Sequence, residues 1–217
     1  MLKAVIFDMD GLMIDSERVT FECYQEVLKE MNLSMDEEFY KTLLGKPVKG
    51  IHQRFYDVYG NDFPIEEVMK KVHAMMAERF EKEGVPVKKG LVSLLCYLKE
   101  NSYKTIVATS SNRDRVDKIL KQAGITKYFD DSICGDEVTK GKPDPEIFQK
   151  ACQKLVVSTD EAIVLEDSEA GIQASYSAGI KVICVPDMKY PEKQYEEKAY
   201  RILNDLYEVK EFLKKNW

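Results

Sequence analysis

The sequence predicts an α/β fold: a doubly wound, Rossmann-like parallel sheet with a helical-bundle cap inserted in it. Three observations carry this. Apolar, β-branched runs bounded by turn or acidic residues recur along the chain. Helical patterns stand between them, which implies a parallel sheet covered on both faces. One long early segment keeps helical periodicity with no convincing strand.

In chain order, KAVIFDMD from residue 3 reads as the first strand. From about Ser16 to about Val85 come four helical stretches, RVTFECYQEVLKEM, MDEEFYKTLLG, GIHQRFYDVYG and IEEVMKKVHAMMAERFEKEG, with breaks at Gly45 to Pro47 and Gly60 to Pro64. Roughly 70 residues greatly exceed the dozen or so that a crossover needs, so residues 16–85 are expected to form a cap, and 1–15 with 86–217 the core. Ordinary crossover helices packed on the sheet are the alternative. The helix GLVSLLCYLKEN follows, then the strand KTIVATSS from 104 and the helix RDRVDKILKQAG, closed by Gly124. Next come the strand DSICGDE from 131, the helix DPEIFQKACQKL, the strand AIVLEDS from 162, the helix EAGIQASYSAG ending at Gly179, and the strand KVICVPD from 181. Lysines near the C-terminus read as a solvated helix face.

Composition narrows the function. The chain has 217 residues, 44% hydrophobic and 32% charged, a globular balance with room for one substantial core. A formal net charge of -6 argues against phosphate-backbone binding, so nucleic acid is not an expected partner. The five cysteines, Cys23, Cys96, Cys134, Cys152 and Cys184, are odd in number and never in CxxC spacing, and read as buried small hydrophobes in a reducing compartment. The AVIF run after Lys3 is too short for a signal-peptide core, and no run approaches the ~20 apolar residues of a membrane span. A cytoplasmic protein with no membrane partner is expected, a monomer, with a weak homodimer as the alternative.

An open parallel sheet binds ligands beyond the carboxyl ends of its strands. The first strand delivers Asp8 and Asp10 there, the second Thr109, Ser110 and Ser111, the fourth Glu166 and Asp167, and the loop after the third Lys142. If the extended backbone persists past the strand end, Asp8 and Asp10 point to the same side and repel. Protonation of one, or a divalent cation with hard oxygen ligands, would compensate, and with Glu166 and Asp167 nearby Mg²⁺ is the economical answer. A calcium loop is the alternative for DMDG alone, but Gly11 directly follows the second aspartate and an apolar strand precedes the first. Thr109 to Ser111 can end a strand and cap the next helix, and the same geometry makes an anion cradle. Lys142 would be an ordinary surface lysine but for its place in the rigid turn GKPDP. GDEVTKGK is not a P-loop, since five residues rather than four separate its glycines and Pro143 replaces the metal-binding hydroxyl. No GxGxxG follows a strand.

FDMDGLMIDSE, IVATSS, GKPDPEIF and VLEDSEAGIQA together resemble the haloacid dehalogenase-like hydrolase superfamily, in its phosphatase and β-phosphoglucomutase-like branch with a small helical cap. The resemblance spans essentially the whole chain. It implies a Mg²⁺-dependent phosphatase acting on a small phosphorylated metabolite, a sugar phosphate or similar. Asp8 is implied as the nucleophile that becomes an aspartyl-phosphate, and Asp10 as the group that protonates the leaving alcohol and then activates water. Thr109 and the following amides would hold the transferring oxygens, and Lys142 would offset charge. Asp8, Asp167 and the Asp10 backbone carbonyl would hold Mg²⁺, with Glu166 as a metal-site acid or a support behind it. Paired acids with separated pKa values commonly divide acid and base work in this way.

The resemblance also separates branches. The family's dehalogenases lack an acid at the Asp10 position. Its phosphonate hydrolases use a cap lysine, for which Lys46 or Lys49 could stand, though nothing demands it. Its β-phosphoglucomutases carry a histidine where Thr20 falls and an arginine where Val48 falls in LLGKPVKG. Hydrolysis therefore leads, with a phosphosugar mutase as the alternative. Gly45 and Lys46 are the expected cap contacts, against a plain turn lysine at 46. A non-enzymatic phospho-aspartate receiver domain is a further alternative, but receivers are short and lack the helical insertion.

Overall fold

The computed structural model describes residues 1–217. Six parallel strands form one sheet: β1 (Ala4–Phe7), β2 (Lys104–Ala108), β3 (Asp131–Ile133), β4 (Ala162–Glu166), β5 (Lys181–Cys184) and β6 (Arg201–Ile202), in the order β3-β2-β1-β4-β5-β6. This is the expected Rossmann-like parallel sheet. Ala4, Val5, Ile6 and Phe7 are all fully buried, so β1 is covered on both faces, as its unbroken apolar run requires. Strand order reverses at β1, which opens the crevice at its carboxyl end. Register then fixes the neighbours there. Phe7 stands opposite Val107 and Leu165, so the residues that follow all three emerge together.

Helices α1 (Ser16–Glu30), α2 (Glu37–Lys41), α3 (Val48–Tyr59) and α4 (Ile65–Glu83) follow β1. After them come α5 (Leu91–Glu100), α6 (Arg113–Gln122), α7 (Glu146–Leu155), α8 (Glu169–Ser177), the short α9 (Lys193–Glu196) and α10 (Leu206–Asn216). The chain divides into two compact units, Met1–Asp15 with Val85–Trp217, and Ser16–Gly84.

In the α/β unit, Ile147, Phe148 and Ala151 of α7 and Ile172 of α8 pack with Ile6, Ile106 and Val164 in one core cluster. The two passages of the chain at the unit's boundary are paired, with Asp15 N–H donating to Pro86 O at 2.8 Å and Lys88 N–H to Met13 O at 2.9 Å. Lys88 also reaches Asp187 at 2.5 Å. In the helical unit α1 packs on α4, and an aromatic cluster fills the rest. Phe55 stacks on Phe63 at 5.4 Å and meets the edge of Phe39 at 5.5 Å. Asp36 caps α2 by accepting from Phe39 N–H at 2.7 Å.

Three expectations change. The first strand is shorter than KAVIFDMD, because after Phe7 the backbone turns: Met9 O accepts from both Met13 and Ile14 N–H, and Gly11 has φ of 84°. Asp10 therefore lies beyond the strand, in an isolated bridge with Ile14. The C-terminal segment is more than a solvated face, since β6 extends the sheet and Leu206, Val209 and Leu213 of α10 are buried, with α10 packed against α5. All five cysteines are free thiols and four are buried; Cys96 is only half-buried. No helix is long and apolar enough to cross a membrane.

Candidate active site

Asp8 is the first residue past β1, and its N–H still donates to Leu165 O at 3.0 Å. Its neighbour is Lys142, whose ammonium donates to Asp8 Oδ1 at 2.5 Å, Glu166 Oε1 at 2.5 Å and Ala108 O at 3.1 Å. The three protons of Lys142 thus meet three oxygens, one from the end of each central strand. Its position is set by α7, where Glu146 accepts from Thr139 and Lys140 N–H at 2.9 Å each and clasps the loop that carries Lys142. The ammonium also lies 5.0 Å from the Phe148 ring centroid.

Glu166 ends β4 with no solvent exposure. Its Oε2 accepts from Asp167 N–H and Ser168 N–H at 3.0 Å and from the Ser168 hydroxyl at 2.9 Å, so both oxygens have protein donors. Gly171 makes this possible, for a Cβ there would lie 1.8 Å from the Glu166 carboxyl carbon. Asp167 lies against Gly11, where a Cβ would come within 2.2 Å of its Oδ2, so the glycine provides both the positive φ and the space.

Thr109 follows β2 and is buried, and its Oγ1 accepts from Ser111 N–H at 3.1 Å. Ser110 is exposed, and its carbonyl stands where a Cβ on Gly135 would fall, at 2.2 Å. Ser111 donates to Asp10 Oδ2 at 2.8 Å, which joins the end of β2 to the turn after β1. Gly45 and Lys46 belong to the helical unit, in the turn between α2 and α3; Gly45 has φ of 72°, Lys46 N–H donates to Leu43 O at 3.1 Å, and the lysine is exposed. Thr20 donates to Ser16 O at 2.7 Å and Met76 Sδ at 3.3 Å inside that unit.

Burial pushes the Asp8 carboxyl above the ordinary carboxylate range; Lys142 pulls against this, while the charges of Glu166 and Asp10 add to it. Burial opposes the charge of Lys142 as well, yet Asp8 and Glu166 outweigh it and hold the ammonium above its ordinary value. Two carboxylates sharing one buried ammonium are one positive charge short. Asp8, Glu166 and Asp167 bring oxygens within 4.8 Å of one another; those of Glu166 are already held by protein donors, so the carboxylates of Asp8 and Asp167 are the oxygens that suit a hard divalent cation. Cys134, Asp136 and Glu137 also cluster, but Arg113 takes Glu137 and burial pushes the Cys134 thiol up to about 12, so that group is occupied by the protein itself.

Two residues at this site carry no motif signal. Arg115 donates to Asp10 Oδ1 at 2.5 Å, and Gly171 admits Glu166. The i, i+4 spacing of Ser111 and Arg115 across the start of α6 is the signal that could have found the first.

The chain resembles known proteins along nearly its whole length. It is 32% identical over 182 residues to the "Phosphorylated carbohydrates phosphatase" of Thermotoga maritima, covering 84% of each chain. It is 31% identical over 211 residues to the "Validoxylamine A 7'-phosphate phosphatase" of Streptomyces hygroscopicus subsp. limoneus, covering 97% of each. Among solved structures, a β-phosphoglucomutase-like protein of Thermotoga maritima matches all of both chains at TM-score 0.83 and 29% identity. A family model described as haloacid dehalogenase-like hydrolase matches residues 5–185, a span that runs from β1 through the loop of Lys142 to the end of β5, and the chain belongs to that family.

Proposed function

We propose that this chain is a Mg²⁺-dependent phosphoric monoester hydrolase that acts on a small phosphorylated sugar through an aspartyl-phosphate intermediate. The observation that carries the reading is the buried Lys142 ammonium on Asp8 at the carboxyl end of the central strand. The relatives named as phosphatases of phosphorylated carbohydrates and of validoxylamine A 7'-phosphate support the substrate class.

The chemistry follows from charge. An anionic carboxylate attacking an anionic phosphate needs cations and oriented donors, and positioning with electrostatic stabilisation supplies most of the catalysis in phosphoryl transfer. Asp8 attacks phosphorus while Lys142 offsets charge on both partners. The Thr109 hydroxyl and the amides of Ser110 and Ser111 receive the transferring oxygens. Asp10 gives its proton to the leaving alcohol, then takes one from the attacking water. Asp8 and Asp167, with the Asp10 backbone carbonyl, would hold Mg²⁺, and Glu166 supports the site by fixing Lys142. When bound, Mg²⁺ supplies the missing positive charge beside the phosphoryl oxygens. Gly45 and Lys46 of the helical unit, acting as a cap, contact the rest of the substrate. The enzyme works as a monomer in the cytoplasm.

The β-phosphoglucomutase-like neighbour favours a second reading, an intramolecular phosphosugar mutase. Against it stands Thr20, where the family's mutases carry histidine. A Mg²⁺-supplemented screen of phosphorylated metabolites, read for both free phosphate and isomerised product, tests both. Free phosphate from a hexose phosphate is expected, with turnover abolished by Asp8→Asn. Wild-type turnover by that variant would sink the mechanism.

A further inference from the structure

Reading Asp10 as the proton carrier raises the question of what holds its carboxyl, since the residue lies past the strand in a turn. Both its oxygens are taken from the start of α6. Arg115 Nη2 donates to Oδ1 at 2.5 Å, and the Ser111 hydroxyl donates to Oδ2 at 2.8 Å. Arg115 Nε donates in turn to Ser111 Oγ at 3.1 Å, which closes a ring of carboxylate, hydroxyl and guanidinium. Arg115 donates twice, Asp10 accepts twice, and the hydroxyl does one of each: it gives its proton to Asp10 and accepts from Arg115. The ring is anchored on a capped helix, because Asn112 Oδ1 accepts from Arg115 N–H at 3.0 Å. Arg115 and Asp10 are 29% and 26% exposed, so water screens their Coulomb attraction; what the guanidinium on one oxygen and the hydroxyl on the other add is direction.

We propose that Arg115 is a positioning residue for Asp10, fixing the direction in which its carboxyl presents a proton. The proposal rests on the acid–base role of Asp10 given above. In the first half-reaction an Asp8 oxygen bonds to phosphorus, the bond from phosphorus to the alcohol oxygen breaks, and the Asp10 proton passes to that oxygen. In the second, water bonds to phosphorus, the bond to Asp8 breaks, and Asp10 takes the water proton. A residue that acts only through Asp10 matters most when the leaving group most needs a proton.

The test is kcat/KM of the full chain with Mg²⁺ on p-nitrophenyl phosphate and phenyl phosphate, esters of similar shape of which phenol is the poorer leaving group. Arg115→Ala is expected to lose ~10-fold more on phenyl phosphate than on p-nitrophenyl phosphate, a fraction of the ~10²–10⁴-fold that general acid–base catalysis contributes. Arg115→Lys should recover part of that split. Asp10→Asn, measured beside it, should show the same split in larger form. No split for Asp10→Asn would bring down the acid–base reading of Asp10, and this proposal with it. A split for Asp10→Asn with equal losses for Arg115→Ala on both esters, or a rise in KM alone, would overturn the proposal and leave that reading standing. Should Arg115→Ala lack a cooperative thermal transition, Arg115→Lys and Arg115→Gln carry the same comparison.

Discussion

Charge is handled in opposite ways at the strand ends of the α/β unit and between the helices of the other unit. In the α/β unit the side chains of Lys142, Asp8 and Glu166 are 5%, 8% and 0% exposed. In the helical unit Arg79 meets Glu22 and Glu26 with exposures of 22%, 47% and 57%. Taking ions out of water costs more than their attraction returns unless the remaining donors and acceptors are also satisfied. Around Glu166 they are, through two backbone amides and a serine hydroxyl. Burial of this kind is a poor route to stability and a good one to chemistry, because charges work on a substrate most strongly where water cannot screen them.

The largest expected effect comes from breaking the buried set. Lys142→Ala leaves two carboxylates enclosed with no ammonium between them, and a loss of about 3–5 kcal/mol is expected, together with loss of phosphatase activity. Urea unfolding measures the first and phosphate release the second. A loss under about 1 kcal/mol would equate this cluster with a surface pair and end the contrast.

Gly171→Ala sharpens the same point without touching a charge. Helix propensity favours alanine by about 1 kcal/mol, but the new Cβ would lie 1.8 Å from the Glu166 carboxyl carbon, and that carboxyl is pinned by four hydrogen bonds. Overpacking of about 1–3 kcal/mol should win, and activity should fall as Glu166 releases Lys142. A stabilised, fully active variant would mean that Glu166 moves freely.

The sheet and the acids at its edge were legible in the sequence because parallel strands are long apolar runs with polar residues at a fixed end. Asp8, Thr109, Lys142 and Glu166 could all be named from that rule and from the resemblance. β6 could not be, since Arg201 and Ile202 are too short a run to show a period, and their pairing depends on β5 already being in place. Arg115 was hidden within an ordinary amphipathic helix, and its meaning comes from a residue 105 positions away. Gly171 carried no visible signal, because glycine's reason there is the neighbour it admits rather than the turn it makes. Tertiary proximity decides all three.

A smaller effect is expected at Glu146, which clasps the loop of Lys142 from the surface. The hydrogen bond from Lys150, then those from Thr139 and Lys140 N–H, hold its carboxyl down at about 2, below the ordinary 4.5. A carboxyl lowered by folding contributes stability that is fully present above the unfolded value and is lost as pH falls through the folded one. The difference in thermal stability between the wild type and Glu146→Gln should therefore be constant above about pH 5 and shrink towards pH 2. A difference that does not change over that range would mean the clasp contributes nothing through its charge.

The smallest effect belongs to the other side of the comparison. Arg79 joins α4 to two acids of α1, so its removal loses two contacts at once and would be the most damaging of the exposed pairs in that unit. Even so, exposed pairs are worth about 0.2–1 kcal/mol, and two acids one helical turn apart repel each other, which offsets part of what the arginine returns. Arg79→Ala should lower stability by no more than about 1 kcal/mol in dilute buffer, and by less at 1 M salt, where the screening length falls to about 3 Å. Parallel urea titrations at the two salt concentrations measure this. A loss as large as that of Lys142→Ala, or one that salt leaves untouched, would show that the helical unit too depends on charges shielded from water.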